Sequence, residues 1–196
     1  MNVKKYRTTT KTLKKACSIL ISTMFIFLLP IRASAMTSVY LSCTPVQAKS
    51  NWCWAATAEA LGKQASYSTL TQYDVVSTVM GGSWFDPYPN VTGTPYDTAG
   101  GAEYVCHYNH DFNVYSAYAF VTVKFQINHG RPIGCALYHQ YGGTGHTIVI
   151  KGYEDPGTVQ IYDPADGGIY NISFSSLETG SYVPNCIYSA SIVHMD

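Results

Sequence analysis

The apolar positions of the chain fall into two regimes. Up to about residue 128 they recur at helical spacing. Trp54, Ala58 and Leu61 stand at i, i+4 and i+7 behind Ser50-Asn51, a pair suited to an N-cap, so a helix with one buried face is expected over 50–61. Further helices are expected over 71–80, stopped by Gly81-Gly82, over 98–107, and over 121–128, where His129-Gly130 and Pro132 end the run. Residues 84–93 carry Pro87 and Pro89, with Pro95 just beyond, and read as loop. From residue 133 the runs are short, apolar or alternating, and separated by turn residues. Segments 133–138, 146–153, 158–162, 168–174 and 187–193 read as strands of an antiparallel sheet. Helices first and strands afterwards predict an α+β fold, with an N-terminal helical part packed on a C-terminal sheet.

The first 35 residues stand outside this pattern. Lys4, Lys5, Arg7, Lys11, Lys14 and Lys15 form a basic stretch, an apolar run over 16–31 follows, and Ala33-Ser34-Ala35 offers a small-x-small cleavage site. The apolar run is shorter than the ~20 residues of a spanning helix and contains Pro30. The expectation is a secretory signal peptide over 1–35, then one domain over 36–196, secreted and without stable membrane association. Without the leader the charge balance changes: five basic residues face twelve acidic ones, a net charge of −7. An acidic body with no basic patch argues against nucleic acid as a partner.

Five cysteines remain beyond the leader: Cys43, Cys53, Cys106, Cys135 and Cys186. Outside the cell, four could form two disulfides, or they could be small buried apolar residues; an odd count leaves one thiol over. Cys53 would sit in the first turn of the 50–61 helix, where unpaired backbone N–H groups and the helix dipole favour a thiolate. Gln47, six residues upstream, carries a side-chain amide able to donate to a developing oxyanion together with the Cys53 N–H.

Gln47-x5-Cys53, within Ser50-Asn51-Trp52-Cys53-Trp54-Ala55-Ala56, resembles the active-site helix of papain-like cysteine peptidases. It is most similar to the small bacterial type: secreted effector proteases delivered into plant cells, staphopains and, more distantly, double-glycine peptidases. Asn51-Trp52 departs from the Gly-Ser pair of plant papain. The resemblance implies a papain-like fold, a thiol nucleophile and a downstream His followed by Asn or Asp. Of six histidines, His146 fits best, following a Gly-rich loop and opening the strand over 146–153; His139 is a rival. Glu154-Asp155-Pro156-Gly157 signals a hairpin. Pairing Tyr153 with Thr158 makes His146 and Asp163 diagonal neighbours on one face, with Cβ atoms roughly 7–8 Å apart. A one-residue slip would separate them. Asp163 is therefore the expected orienter of His146, with Asp166 as its alternative.

The reading is a monomeric cysteine peptidase acting on a protein or peptide substrate through Cys53, His146, Asp163 and Gln47, without cofactor or metal. The same machinery serves cell-wall amidase or deamidase chemistry. A non-catalytic secreted binding or toxin-like module is the alternative from a different class. His107-x-x-His110-Asp111 is a weak metal-site motif, lacking a second ligand cluster.

Overall fold

The computed structural model describes residues 34–195. The leader expected over 1–35 thus lies, up to residue 33, outside the described residues. Residues from Ala35 onward make one compact unit. Its elements are β1 (Thr37–Ser38), α1 (Cys53–Ala65), α2 (Gln72–Val79), α3 (Pro95–Val105), β2 (Asp111–Ser116), α4 (Phe120–Asn128), β3 (Ile133–His139), β4 (His146–Glu154), β5 (Thr158–Asp163), β6 (Gly168–Ser173), α5 (Phe174–Glu178) and β7 (Cys186–Met195).

The strands form one sheet in the order β2-β7-β3-β4-β5-β6, every pair antiparallel, with the short β1 also on β4. The α+β expectation holds, with one enlargement: helices cover both faces. Val149 and Ile192 pack with Trp54, Leu61, Val75 and Val105 under α1–α3, while Ile148 and Ile150 pack with Val123, Ile127 and Leu177 under α4 and α5. That double burial explains why β4 reads as a continuous apolar run rather than an alternation.

Local chemistry sets the helix boundaries. Thr71 with Asp74, and Thr94 with Asp97, form capping boxes at the starts of α2 and α3, and Pro95 takes the first turn of α3, where its missing N–H costs nothing. α3 therefore starts three residues before the expected 98. Gly62 marks the crossing of α1 and α3: a Cβ there would meet Val105 Cβ at 2.5 Å.

All five cysteines in the described residues are free thiols, four of them buried. The small-apolar-residue alternative accounts for Cys106, Cys135 and Cys186, each packed in one of the two cores.

Candidate active site

α1 begins at Cys53, but Ser50 and Asn51 do not cap it; Trp52 holds the cap position without a side-chain bond. The expected caps bind a loop instead. Asn51 N–H donates to Asn90 Oδ1 at 3.1 Å, Asn51 Nδ2 to the Asn90 carbonyl at 3.1 Å, and Asn90 Nδ2 to Ser50 Oγ at 3.0 Å. Both tryptophans flanking Cys53 are buried and complete the attachment. Trp52 Nε1 donates to the Pro89 carbonyl (3.0 Å) and Trp54 Nε1 to that of Val91 (3.1 Å). Gly93 lies so close to the Trp54 indole that a Cβ would come within 2.4 Å of it. Residues 89–95 are thereby fastened across the start of the Cys53 helix.

Facing this loop, the end of β3, the glycine loop over 143–145 and the start of β4 form the opposite wall of a cleft of ≈ 260 Å³ that contains both Cys53 and His146. Thr57 Oγ1, one turn beyond Cys53, donates to the Thr147 carbonyl at 3.2 Å in a fully buried bond. This strut joins helix to strand one residue from His146.

His146 Nε2 donates to Asp163 Oδ1 at 2.7 Å. The remaining ring nitrogen, Nδ1, is left for Cys53, which lines the same cleft. Asp163 is almost fully enclosed and saturated: Oδ1 also accepts from the Ala165 N–H at 2.9 Å, and Oδ2 from the Tyr182 hydroxyl at 2.6 Å. Burial by itself would lower the His146 pKa, but the bond to Asp163 and the charges of Asp163 and Cys53 nearby outweigh it and raise it to about 9. Burial would likewise raise Asp163, yet the bonds from His146, Tyr182 and Ala165 hold its carboxyl below the usual carboxylate range.

The rivals fall elsewhere. Asp166 accepts from the Gly168 N–H and from the Tyr170 hydroxyl, and His139 Nδ1 accepts from the Tyr141 N–H. His110 Nδ1 pairs with His194 Nε2 at 2.9 Å, and no group of three potential metal ligands occurs among the described residues. Gln47 is anchored beside the site: its N–H donates to the Pro164 carbonyl at 2.7 Å. Its Nε2 donates to the carbonyls of Lys49 (3.1 Å) and Ser50 (2.9 Å), so in this state the amide holds the approach to α1. Tyr182 and Thr57 went unmarked at the sequence level. A tyrosine among seventeen and a threonine inside a helix carry no local signal; only the fold brings them to the site.

The helices and the seven-stranded antiparallel sheet make an α+β, papain-like fold. The chain belongs to the Peptidase_C39 like family, whose model matches residues 41–185. Among solved structures, one described as a C39-like peptidase from Bacillus anthracis superposes with a TM-score of 0.55 at 13% identity, covering 81% of this chain and 98% of that one. The Pseudomonas avirulence protein AvrPphB gives a TM-score of 0.38 at 10% identity, covering 74% and 92%, a likeness too low to argue from. No curated protein sequence matches the chain.

Proposed function

We propose that the chain is a secreted cysteine peptidase, released from its leader after about Ala35, with Cys53 as nucleophile, His146 as general base and Asp163 as orienter. The observation that carries this reading is the 2.7 Å bond from His146 Nε2 to Asp163, which leaves Nδ1 for the thiol at the helix start in the same cleft. His146 takes the Cys53 proton and the thiolate attacks the scissile carbonyl. The tetrahedral oxyanion is met by the Cys53 N–H, which has no intrahelical partner at this position. His146 then protonates the leaving amine, and water, deprotonated by His146, releases the acyl group and restores the thiol. The test is mass spectrometry of the purified chain after treatment with an epoxide thiol inhibitor. A single adduct on Cys53 that disappears in His146→Ala is expected, together with peptide hydrolysis; an unlabelled Cys53 in folded protein would end this reading.

Gln47 serves as second oxyanion donor in this scheme, one N–H passing from the longer Lys49 bond to the substrate oxygen. Gln47→Ala is then expected to lower kcat by roughly 10²–10³ with little change in KM. A loss of thermal stability at unchanged kcat per labelled site would mean that Gln47 only anchors the approach to α1.

Tyr182 is a positioning residue acting through Asp163. Tyr182→Phe removes one bond to a buried carboxylate, worth about tenfold in kcat. Asp163 then binds a proton more readily, so the acid limb of the kcat/KM profile moves to higher pH. An unshifted profile at reduced stability would indicate packing alone.

A further inference from the structure

Two further hollows, one of ≈ 150 Å³ beside His129, Arg131 and His194 and one of ≈ 390 Å³ beside Asp163, Asp166, Tyr170 and Tyr182, do not contain Cys53. The cleft itself carries more than the proton chemistry. Its walls, from Asn51 and the Thr92-Gly93-Thr94 segment on one side to Leu137, Tyr138 and Thr144 on the other, bear no charged side chain apart from the Cys53–His146 pair. One tyrosine lines it, and two exposed ones stand close to its wall residues in sequence. Tyr138 lines it and is 48% exposed; Tyr96, next to Pro95 in the wall, is 73% exposed; Tyr141, two residues before Gly143, is 80% exposed. Aromatic faces of this kind take apolar groups, sugar rings or cations. The charge distribution chooses among them. Residues 36–196 carry a net charge of −7. Their four lysines are each held by an acceptor: Lys49 by the Tyr88 carbonyl, Lys63 by Glu59, Lys124 by Asp155 and Lys151 by Gln160. Asp97 follows Tyr96, and Asp86 stands exposed on the loop whose far end forms the cleft wall. An uncharged slot with Tyr138 in its wall, in a body of net negative charge, favours cationic over anionic groups.

We propose that the substrate is a basic peptide segment: lysine or arginine residues within a few positions of the scissile bond lie over the faces of Tyr96, Tyr138 and Tyr141 while an uncharged stretch occupies the slot. This inference rests on the peptidase reading above and goes further, naming the chemistry of the substrate. Long-range attraction supplies a faster encounter that salt removes, and cation–π contacts supply retention.

The experiment is digestion of a proteome-derived peptide library by the purified chain, with cut sites identified by mass spectrometry and Cys53 labelling run in parallel. Lys and Arg are expected to be enriched, and Asp and Glu depleted, within about five residues of the cuts. The preferred basic peptide, resynthesised with Glu in place of Lys, is expected to lose on the order of tenfold in kcat/KM at low ionic strength, most of that difference vanishing in about 0.5 M salt. The triple variant Tyr96→Ala, Tyr138→Ala, Tyr141→Ala is expected to narrow the difference while Cys53 still labels. Cuts with no charge preference, or with enriched Leu and Phe, overturn the basic-substrate inference and leave the peptidase reading standing. Labelled Cys53 with no cut in any peptide, or cleavage confined to glycopeptides, overturns both.

Discussion

Asp163→Ala is expected to lower kcat by roughly 10³–10⁴-fold and to move the alkaline limb of the pH profile downward. The His146 imidazole is raised to about 9 although burial works in the opposite direction, so the interactions with Asp163 and Cys53 supply the whole elevation. Removing the carboxylate leaves burial opposed by Cys53 alone. His146 then loses its proton at lower pH, about 1–3 pH units down, the usual influence of one close opposite charge. The same shift makes a statement about folding. A histidine whose folded pKa lies above its unfolded value of about 6.5 contributes stability that is fully present below that value and fades as pH rises through about 9. Wild-type protein should therefore lose stability between roughly pH 6.5 and 9 in a way that Asp163→Ala does not. Asp163→Asn separates charge from shape: it keeps an acceptor for His146 and should restore stability more than activity. Activity per labelled site and urea midpoints across this pH range decide the matter. An alkaline limb unmoved in Asp163→Ala would remove Asp163 from the proton chemistry.

The candidate pair was legible in the sequence through a register argument whose details differ from the molecule's. Pairing Tyr153 with Thr158 was expected; the turn is in fact one residue shorter, and Glu154 faces Thr158. Uncorrected, that slip would turn His146 and Asp163 to opposite faces. The irregularity between Ile150 and Gly152 takes up the extra residue, and Ile150 with Ile161 and Val149 with Tyr162 stand in the expected register. A β-bulge of this kind re-aims the strand next to a site and leaves little trace in sequence beyond a glycine. Gly152 is that trace: a Cβ there would come within 2.8 Å of the Thr37 carbonyl on the strand laid against it.

β1, β2 and α5 have the least apolar periodicity in the sequence. β2 is an edge strand in which Phe112 alone is fully buried, and its flanking histidines and tyrosines suggest no boundary. β1 spans two residues and α5 five, each too short for either period to register. Ser50 and Asn51 leave α1 uncapped, because cap propensity is local. Here a loop some forty residues further along offers the same groups better partners in Asn90. Local residue types indicate the helix start at Cys53, and distant sequence decides which partners Ser50 and Asn51 take.

That loop gives the second large effect. Trp54 is 1% exposed, packs in the core beneath α1–α3, and holds the cleft wall through Val91. Trp54→Ala is expected to cost about 3–5 kcal/mol, a large share of the 5–15 kcal/mol typical of a domain, and to leave little folded protein at 37 °C. Trp54→Phe tests the functional half of the argument without that collapse. The ring still fills most of the space, but the indole N–H is lost and the Val91 carbonyl goes unmet, at a cost of about 1–2 kcal/mol. Freed from that bond, residues 91–95 no longer hold one wall of the cleft at a fixed distance from Cys53. KM is then expected to rise several-fold while kcat per epoxide-labelled site stays within about a factor of two, because the thiol, His146 and Asp163 are untouched. A KM at the wild-type value in a Trp54→Phe protein that has lost stability would show that the loop only buttresses the helix. A kcat that fell with KM unchanged would instead implicate the indole in orienting Cys53 itself.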